Sequence, residues 1–157
     1  MNAVQMVPRK VQIRVPAKIN ISLKVGPARA DGFHELATIY HAVSLYDIVT
    51  VTERPAGTGV ELACETPGVP EDASNLAWRA AELMARESGI AADVRIDISK
   101  GIPTAGGMAG GSADAAATML AINELWQLDW SRDRLQELAA ELGSDVPFCV
   151  GGGTTMG

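Results

Sequence analysis

The chain has 157 residues, of which 47% are hydrophobic and 20% are charged, so it is long and apolar enough to form a domain with a proper core. A net charge of −6 argues against a broad nucleic-acid-binding surface, and any phosphate site must therefore use backbone groups and a few placed cations. Because the sequence has no run of about 18 apolar residues, no apolar signal core and two cysteines without metal-ligand spacing, we expect a cytoplasmic protein with reduced thiols and no membrane partner.

The N-terminal region predicts an irregular leader followed by two strand segments. Residues 1–10 carry no periodic pattern. Apolar and polar residues then alternate over 11–15 and again over 19–25, and Pro16 is expected to interrupt the strand between them.

Two pairs of residues near these strands are candidates for a ligand site. Period two puts Lys18 and Asn20 on the face opposite the apolar side chains, which is either a solvated outer face or part of a site. After a turn region over 26–32, Phe33 and His34 stand side by side. An aromatic ring can stack on a planar ligand and an imidazole can hydrogen-bond it, but an ordinary hairpin tip explains this pair equally well.

Further alternation predicts strands over 39–45, 48–51, 60–64 and 94–98. The second histidine, His41, lies inside the first of these runs and is interpreted as structural. Helices are predicted where small polar residues that suit the N-cap precede apolar residues at helical spacing. The predicted helices run from Ser74 or Asn75 to Gly89, from Ser112 to about Trp126, and from Ser131 to Gly143.

Residues 103–117, PTAGGMAGGSADAAA, have the composition of an anion-binding loop. The stretch follows a strand and leads directly into a helix. Glycines then allow close backbone approach, and the unpaired N–H groups of the first helical turn favour a negative ligand. It is not a P-loop, because no Lys follows Gly111, and it matches neither the dinucleotide fingerprint nor the nucleophile elbow. The alternative is a tightly packed turn without a ligand.

Asp145 stands between a helix-stopping Gly143 and an apolar run. It is either the N-cap of a short helix or a site residue held on rigid backbone, and taken alone the cap is the commoner role. The glycine-rich end of the sequence, 151–157, is typical of a connection to further chain, so a truncated protein is expected.

Three separated segments together resemble the small-molecule kinases of the galactokinase, homoserine kinase, mevalonate kinase and phosphomevalonate kinase superfamily: PAKIN at 16–20, PTAGGMAGGSADA at 103–115 and LGSDVPF at 142–148. A fourth, DGFHEL at 31–36, is similar to the branch that phosphorylates 4-diphosphocytidyl-2-C-methyl-D-erythritol in the non-mevalonate route to isoprenoids. Each motif alone is modest, but four of them in this order make a specific pattern.

The resemblance implies a role for each matching residue. Asp145 matches the base that accepts the proton of the substrate hydroxyl, and Lys18 matches the lysine paired with that base. Asn20 matches a substrate-binding residue, His34 a histidine that hydrogen-bonds the cytosine, and Phe33 the position of a stacking tyrosine. The run that matches the ATP phosphate loop consists of Pro103, Thr104, Ala105, Gly106, Gly107, Met108, Ala109, Gly110, Gly111, Ser112 and Ala113. Ser112 is also a candidate ligand for Mg²⁺.

The resemblance also implies an α+β fold of the ribosomal-protein-S5-domain-2-like kind, with a mixed β-sheet packed against helices. The implied enzyme transfers a phosphoryl group from ATP, with Mg²⁺, to the 2-hydroxyl of its small-molecule substrate. Family members are considerably longer. Residues 11–157 are therefore expected to be the N-terminal ATP-binding domain, without the second domain that completes the cytidine pocket.

Two departures from the family pattern bear on these expectations. Phe33 lacks the tyrosine hydroxyl, and Ala109 stands where a glycine is commoner, which restricts it to negative φ. Three alternatives stay open: a sister kinase acting on homoserine or mevalonate, a nucleotide-binding fragment that is inactive without its C-terminal half, and a non-enzymatic α+β domain with a glycine-rich turn.

Overall fold

Five strands form one mixed sheet in a computed structural model that describes residues 7–28, 34–103, 110–151 and 154–156. For residues 19–28, 34–44 and 154–156 it describes the backbone alone. The sheet order is β1-β2-β4-β3, and β5 pairs with β2. The strands are β1 (Lys10–Ala28), β2 (His34–Glu53), β3 (Glu61–Cys64), β4 (Val94–Ser99) and β5 (Thr154–Met156).

β2 lies at the centre of the sheet. It pairs antiparallel with β1 along one edge, and with β4 and β5 along the other. β3 runs parallel to β4, because the chain crosses between them through a helix rather than a tight turn. Along β4 the buried and half-buried residues alternate, so one face of the sheet carries the core.

Four helices complete the described fold: α1 (Leu76–Ser88), α2 (Gly110–Leu125), α3 (Arg132–Ala139) and α4 (Val146–Gly151). Asn75 caps α1, with its side-chain oxygen accepting from the Ala77 N–H at 2.9 Å, and left-handed Gly89 follows the last turn. Ser131 caps α3 in the same way by accepting from the Arg134 N–H at 3.2 Å. Of the described helices, none is long and apolar enough to cross a membrane.

α2 is the helix around which the others pack. It contacts β1 and β2 on the sheet, and also α1 and α4. Its alanines at 113, 115, 116, 117 and 121 are all fully buried. Small side chains let the neighbouring elements approach from several directions, so a helix buried on most of its surface still fits within the domain.

The α+β prediction is confirmed: helices cover a mixed sheet. The strand boundaries differ more. Pro16 does not end the first strand, because β1 continues through it and the register with β2 shifts between Pro16 and Ala17. The strands predicted over 39–45 and 48–51 are parts of the single strand β2, since backbone pairing to β1 continues on both sides of the shift.

The helix boundaries also differ. α2 begins at Gly110, two residues before the predicted Ser112, and α3 ends at Ala139 rather than at Gly143. The stretch predicted as a leader includes Arg9, whose guanidinium donates to Glu53 at 2.7 Å and to the Leu125 carbonyl at 2.8 Å. A long-range contact of this kind has no periodic signature in the sequence.

Candidate functional site

The two residues that the resemblance pairs as lysine and base lie together. Lys18 Nζ is 3.7 Å from Asp145 Oδ1, although the two residues are far apart in the chain. The Lys18 side chain is 7% exposed and that of Asp145 is 31% exposed, so the carboxylate faces solvent more than its partner does. A buried cation beside an accessible carboxylate is a suitable place for an anionic substrate or a developing negative charge.

Local structure explains how Asp145 is held. It immediately precedes α4, and its carbonyl accepts from the Cys149 N–H at 3.3 Å, which is the backbone position of an N-cap. α4 packs against α2 and contacts β1, the strand that carries Lys18. The cap and the site interpretation of Asp145 are therefore compatible: the helix start fixes the backbone, and the side chain lies beside Lys18.

Cys149 lies within electrostatic range of this pair and of the first turns of α2. Burial, reinforced by the carboxylates of Asp145 and Asp114 and opposed by Lys18, raises the pKa of the Cys149 thiol to about 12. The thiol is 6% exposed and not in a disulfide. It is therefore a packing residue at the floor of the site and not a nucleophile.

The first turn of α2 carries the end of the glycine-rich stretch. Gly110, Gly111 and Ser112 are its first three residues, so Ser112 lies inside the helix and is not its N-cap. The helix begins earlier because glycines, which are poor helix formers, are tolerated where the N–H groups lack intrahelical partners. The predicted loop residues 104–109 lie outside the described residues. Pro103 is exposed and Ala113 is buried.

A pocket of about 280 Å³ adjoins this helix start. Its walls combine apolar side chains before and within α1 with Lys100, which follows β4, and residues of α2. The lining residues that matter here are Val69, Pro70, Leu76, Lys100, Gly111 and Asp114. A larger hollow of about 730 Å³ lies on the sheet and shares Lys100 with this pocket, but Lys18, Asp145 and Gly111 do not line it.

Sequence reasoning missed a buried charged cluster at the two ends of the glycine-rich stretch. Lys100 follows β4, and its ammonium donates to Asp47 Oδ2 at 2.5 Å and to Asp114 Oδ2 at 2.9 Å. Asp47, on β2, also accepts from the backbone N–H groups of Gly101 and Ile102, both at 2.8 Å. The side chains of all three charged residues are at most 5% exposed.

The two carboxyl groups of this cluster have pKa values shifted in opposite directions. Burial and the Asp47 carboxylate raise the pKa of Asp114 to about 8, against the attraction of Lys100. For Asp47, burial by itself would raise the pKa, but hydrogen bonds to Asp114, Lys100 and the Ile102 N–H outweigh it, and the pKa is lowered. The pKa of Lys100 is raised, because the two carboxyl groups outweigh its burial. Burial thus favours the neutral form of Asp114, whereas the hydrogen bonds to Asp47 favour its charged form beside Lys100.

For the other residues that the sequence analysis singled out, the structure describes at most the backbone. Asn20 pairs with Tyr40 across β1 and β2, and His34 is the first residue of β2, paired with Ala28. His41 pairs with Ile19 and Thr154. Phe33 lies outside the described residues.

The cluster left only a weak trace in the sequence. Asp47 interrupts the apolar run from 43 to 51, and Asp114 interrupts an alanine-rich helix. A carboxylate in an apolar context signals a buried partner, but the sequence does not say which one.

Comparison with known proteins agrees with this geometry. Residues 75–153 match the family model described as the GHMP kinases N terminal domain, a range that contains α1, β4, the glycine-rich stretch and Asp145. The chain belongs to the GHMP kinase family. The architecture is accordingly the α+β, ribosomal-protein-S5-domain-2-like one of GHMP kinase N-terminal domains.

Curated GHMP kinase relatives are similar along nearly the whole chain. A 4-diphosphocytidyl-2-C-methyl-D-erythritol kinase from Rhodococcus jostii is 54% identical over 152 residues, which cover 97% of this chain and 49% of the relative. A Mycobacterium tuberculosis protein of the same name is 56% identical over 148 residues, which cover 94% of this chain and 46% of the relative. The chain thus spans about half the length of the curated relatives it matches.

Solved GHMP kinase structures agree as well. A crystal structure of 4-(cytidine 5'-diphospho)-2C-methyl-D-erythritol kinase superposes with a TM-score of 0.75 and 38% identity, covering 94% of this chain and 52% of that one. A homoserine kinase from Cytophaga hutchinsonii gives a TM-score of 0.73 at 20% identity, covering 99% of this chain and 50% of the other. At that identity the second likeness concerns the fold alone.

Proposed function

We propose that this chain is the ATP-binding part of a kinase that phosphorylates the 2-hydroxyl of 4-diphosphocytidyl-2-C-methyl-D-erythritol. The observation that carries the proposal is the 3.7 Å pair of Lys18 and Asp145, close to the helix that follows the glycine-rich stretch. The relatives above 50% identity bear the name of this activity, which supports it over other substrates.

In this proposal Asp145 is the general base and Lys18 its electrostatic partner. A hydroxyl is a poor nucleophile until its proton is accepted, and the partly exposed Asp145 carboxylate is available to accept it. Lys18 orients that carboxylate and offsets the negative charge of the moving phosphoryl group. Phosphoryl transfer has a loose transition state, so positioning and charge stabilisation of this kind supply most of the catalysis.

ATP is the phosphoryl donor in this proposal. The reaction is assigned to the cytoplasm, as the sequence analysis predicts. The α2 N-terminus offers backbone N–H groups and a favourable dipole to the phosphates, as the predicted role of residues 103–113 requires. The adjoining pocket of about 280 Å³ has apolar walls at Val69, Pro70 and Leu76, which suit the base of the nucleotide.

Mg²⁺ is proposed as the metal that accompanies ATP. An ion that accompanies ATP is held mainly by phosphate oxygens and water. Ser112, in the first turn of α2, is the residue that would add a hydroxyl ligand. When bound, the ion supplies charge neutralisation at the phosphates.

Substrate recognition is assigned to Asn20, Phe33 and His34. The backbone register aligns Asn20 with Tyr40, and His34 opens the strand that pairs with β1, the strand of Lys18. Stacking by Phe33 and hydrogen bonding by His34 would select a cytosine ring.

A sister kinase activity, on homoserine or mevalonate, is the second candidate. The homoserine kinase likeness favours it only at the level of fold. The curated relatives extend well beyond the matched region. Residues 11–157 are therefore proposed as the N-terminal domain of a two-domain enzyme, and a fragment that binds nucleotide without turnover is the third candidate.

The role of Asp145 is tested by Asp145→Asn in the full natural chain. The amide keeps the size of the side chain but cannot accept the proton, so we expect kcat to fall by about 10²–10⁴-fold. The KM for ATP should stay within about threefold of the wild-type value, since the base does not bind the nucleotide. Steady-state measurement of ADP release with the diphosphocytidyl substrate gives both constants.

Asp133→Asn is the matched control, because Asp133 is exposed on α3 and takes no part in the site. It should leave kcat unchanged. An Asp145→Asn variant that retains kcat within threefold of wild type would overturn the assignment of the base.

The substrate is tested by His34→Ala, with His41→Ala as control in the same strand. Loss of one ligand hydrogen bond costs about 1.4 kcal/mol, so we expect the KM for the diphosphocytidyl substrate to rise at least tenfold while the KM for ATP is unchanged. His41→Ala should change neither value. Unchanged selectivity in His34→Ala would favour a sister activity instead.

A further inference from the structure

The cluster of Asp47, Lys100 and Asp114 joins the two described ends of the glycine-rich stretch. At the upstream end, Asp47 accepts from the N–H groups of Gly101 and Ile102, both at 2.8 Å, and so ties the chain after β4 to β2. At the downstream end, Asp114 in α2 accepts from Lys100 at 2.9 Å. Lys100 itself bonds to Asp47 at 2.5 Å, so one continuous chain of hydrogen bonds runs from β2 to α2.

Lys100 also lies in close contact with the start of α2, so these hydrogen bonds can fix the distance between that helix and the end of β4. A Cβ atom built on Gly110 would lie 3.0 Å from Lys100 Nζ, which means that the ammonium packs directly against the first residue of α2. Asp114 is one turn further on, and its backbone carbonyl accepts from the Thr118 hydroxyl at 2.8 Å. The lysine therefore touches α2 at two successive turns.

Asp114 also has a buried side-chain oxygen without a hydrogen-bond partner among the described residues, which a purely stabilising role does not explain. It is 2% exposed, and its Oδ1 atom has no hydrogen-bond partner within the part of the chain that the structure describes. Leaving a buried polar atom unpaired is unfavourable for folding. The residue lines the pocket beside Gly111, at the edge of the proposed nucleotide site.

Lys100 is not a substitute for the phosphate-binding lysine of a P-loop. Its ammonium is 5% exposed and is already bonded to two carboxyl groups. A lysine so paired supplies little positive charge to a triphosphate, and its contribution must be geometric.

We propose that Asp114 is a positioning residue for the nucleotide phosphates: through Lys100 and Asp47 it fixes the first turn of α2 relative to the end of β4. This inference rests on the proposed ATP-binding function and extends it to Asp114, within the glycine-rich stretch, and to Lys100 and Asp47, which lie outside it. Small misplacements of binding groups can reduce activity by about 10²-fold, so a bond that sets this spacing affects ATP binding without contacting ATP.

The test compares Asp114→Leu with Asp114→Asn in the full natural chain. Leu fills the volume but removes the acceptor for Lys100, which stays paired with Asp47, so the fold should persist. We expect the Kd for a non-hydrolysable ATP analogue, measured by titration calorimetry, to rise at least tenfold in Asp114→Leu. Asn has nearly the same size as Asp and retains an acceptor oxygen for Lys100, so it should bind the analogue within about threefold of wild type.

Asn123→Ala is the control that distinguishes a positioning role of Asp114 from a general loss of stability. The Asn123 side chain bonds the backbone N–H and carbonyl of Trp130 at 3.0 and 3.1 Å, away from the glycine-rich stretch. This variant should lower the melting temperature and leave the analogue Kd unchanged. If Asp114→Leu does not fold, Asp114→Ala replaces it, since Ala favours the helix and removes the same acceptor.

Analogue binding within twofold of wild type in the folded Leu or Ala variant would overturn the positioning role. A tenfold weaker binding of the analogue in Asp114→Asn as well as in Asp114→Leu would also overturn it. The proposed function fails separately: wild-type protein that binds the analogue but does not phosphorylate the diphosphocytidyl substrate contradicts the substrate and leaves the Asp114 comparison intact.

Discussion

At the scale of single residues, the site combines polar groups with opposite degrees of exposure. Asp145 is partly exposed to solvent, whereas Lys18 beside it is buried. Cys149 lies one helical turn after Asp145, and its N–H bonds the Asp145 carbonyl. The thiol thus belongs to the support of the site, and its chemistry is suppressed by burial.

This suppression predicts how the two thiols react. With a pKa of about 12, Cys149 has only about one part in 10⁴ of thiolate at pH 8, and it is 6% exposed. Cys64 is half-buried at the end of β3 and should react much faster. We expect the Cys64→Ser variant to react with a disulfide reagent at least tenfold more slowly than Cys149→Ser.

The same labelling in urea is the control, because both variants should then react at similar rates once the chain is unfolded. Fast labelling of native Cys64→Ser would show that Cys149 is accessible, and would contradict its place in the floor of the site.

At the scale of elements, the connection between β4 and α2 is held unusually close to β2. A Cβ atom on Gly101 would overlap the Tyr46 carbonyl oxygen, and the Gly101 N–H bonds to Asp47. Neither β2 nor this connection can move far, since both belong to the hydrogen-bonded sheet and its buried cluster. Gly101 is therefore required by packing and not by an unusual φ.

Gly101→Ala is accordingly expected to destabilise the fold by about 1–3 kcal/mol, the usual cost of overpacking a well-filled region. Gly111→Ala is the matched variant: its new Cβ atom would meet only Leu76 Cδ1, at 3.9 Å, and Ala favours the helix. Its stability should be unchanged or slightly higher. Urea unfolding measures both variants, and equal stabilities would contradict the close approach at Gly101.

At the scale of the whole molecule, α2 joins the site to the core. It packs on the sheet through β1 and β2, receives α1 and α4, and presents its first turn to the glycine-rich stretch. Its small buried residues allow these approaches from several sides. The Arg9 guanidinium bonds both Glu53 of β2 and the Leu125 carbonyl, so the far end of α2 is also tied to the sheet.

Much of this organisation follows from local signals in the sequence. Alternation identified β3 and β4 nearly to the residue. Small polar residues identified the cap of α3 as Ser131 and narrowed that of α1 to Ser74 or Asn75, of which the structure has Asn75. The glycine-rich stretch and the four kinase-like motifs indicated the family that the comparisons then showed. These features were predictable because caps, period-two alternation and backbone freedom act over a few neighbouring residues.

Other features depended on contacts between distant parts of the chain. The continuity of β1 through Pro16 is decided by pairing with β2, and the cluster of Asp47, Lys100 and Asp114 by three elements meeting at one point. The sequence alone carried the motifs of a kinase family and predicted an anion-binding loop between a strand and a helix. Only the tertiary structure decided that Lys18 meets Asp145 and that a buried lysine joins the two ends of that loop. Charges are buried only where partners converge from distant positions, and no local pattern records that convergence.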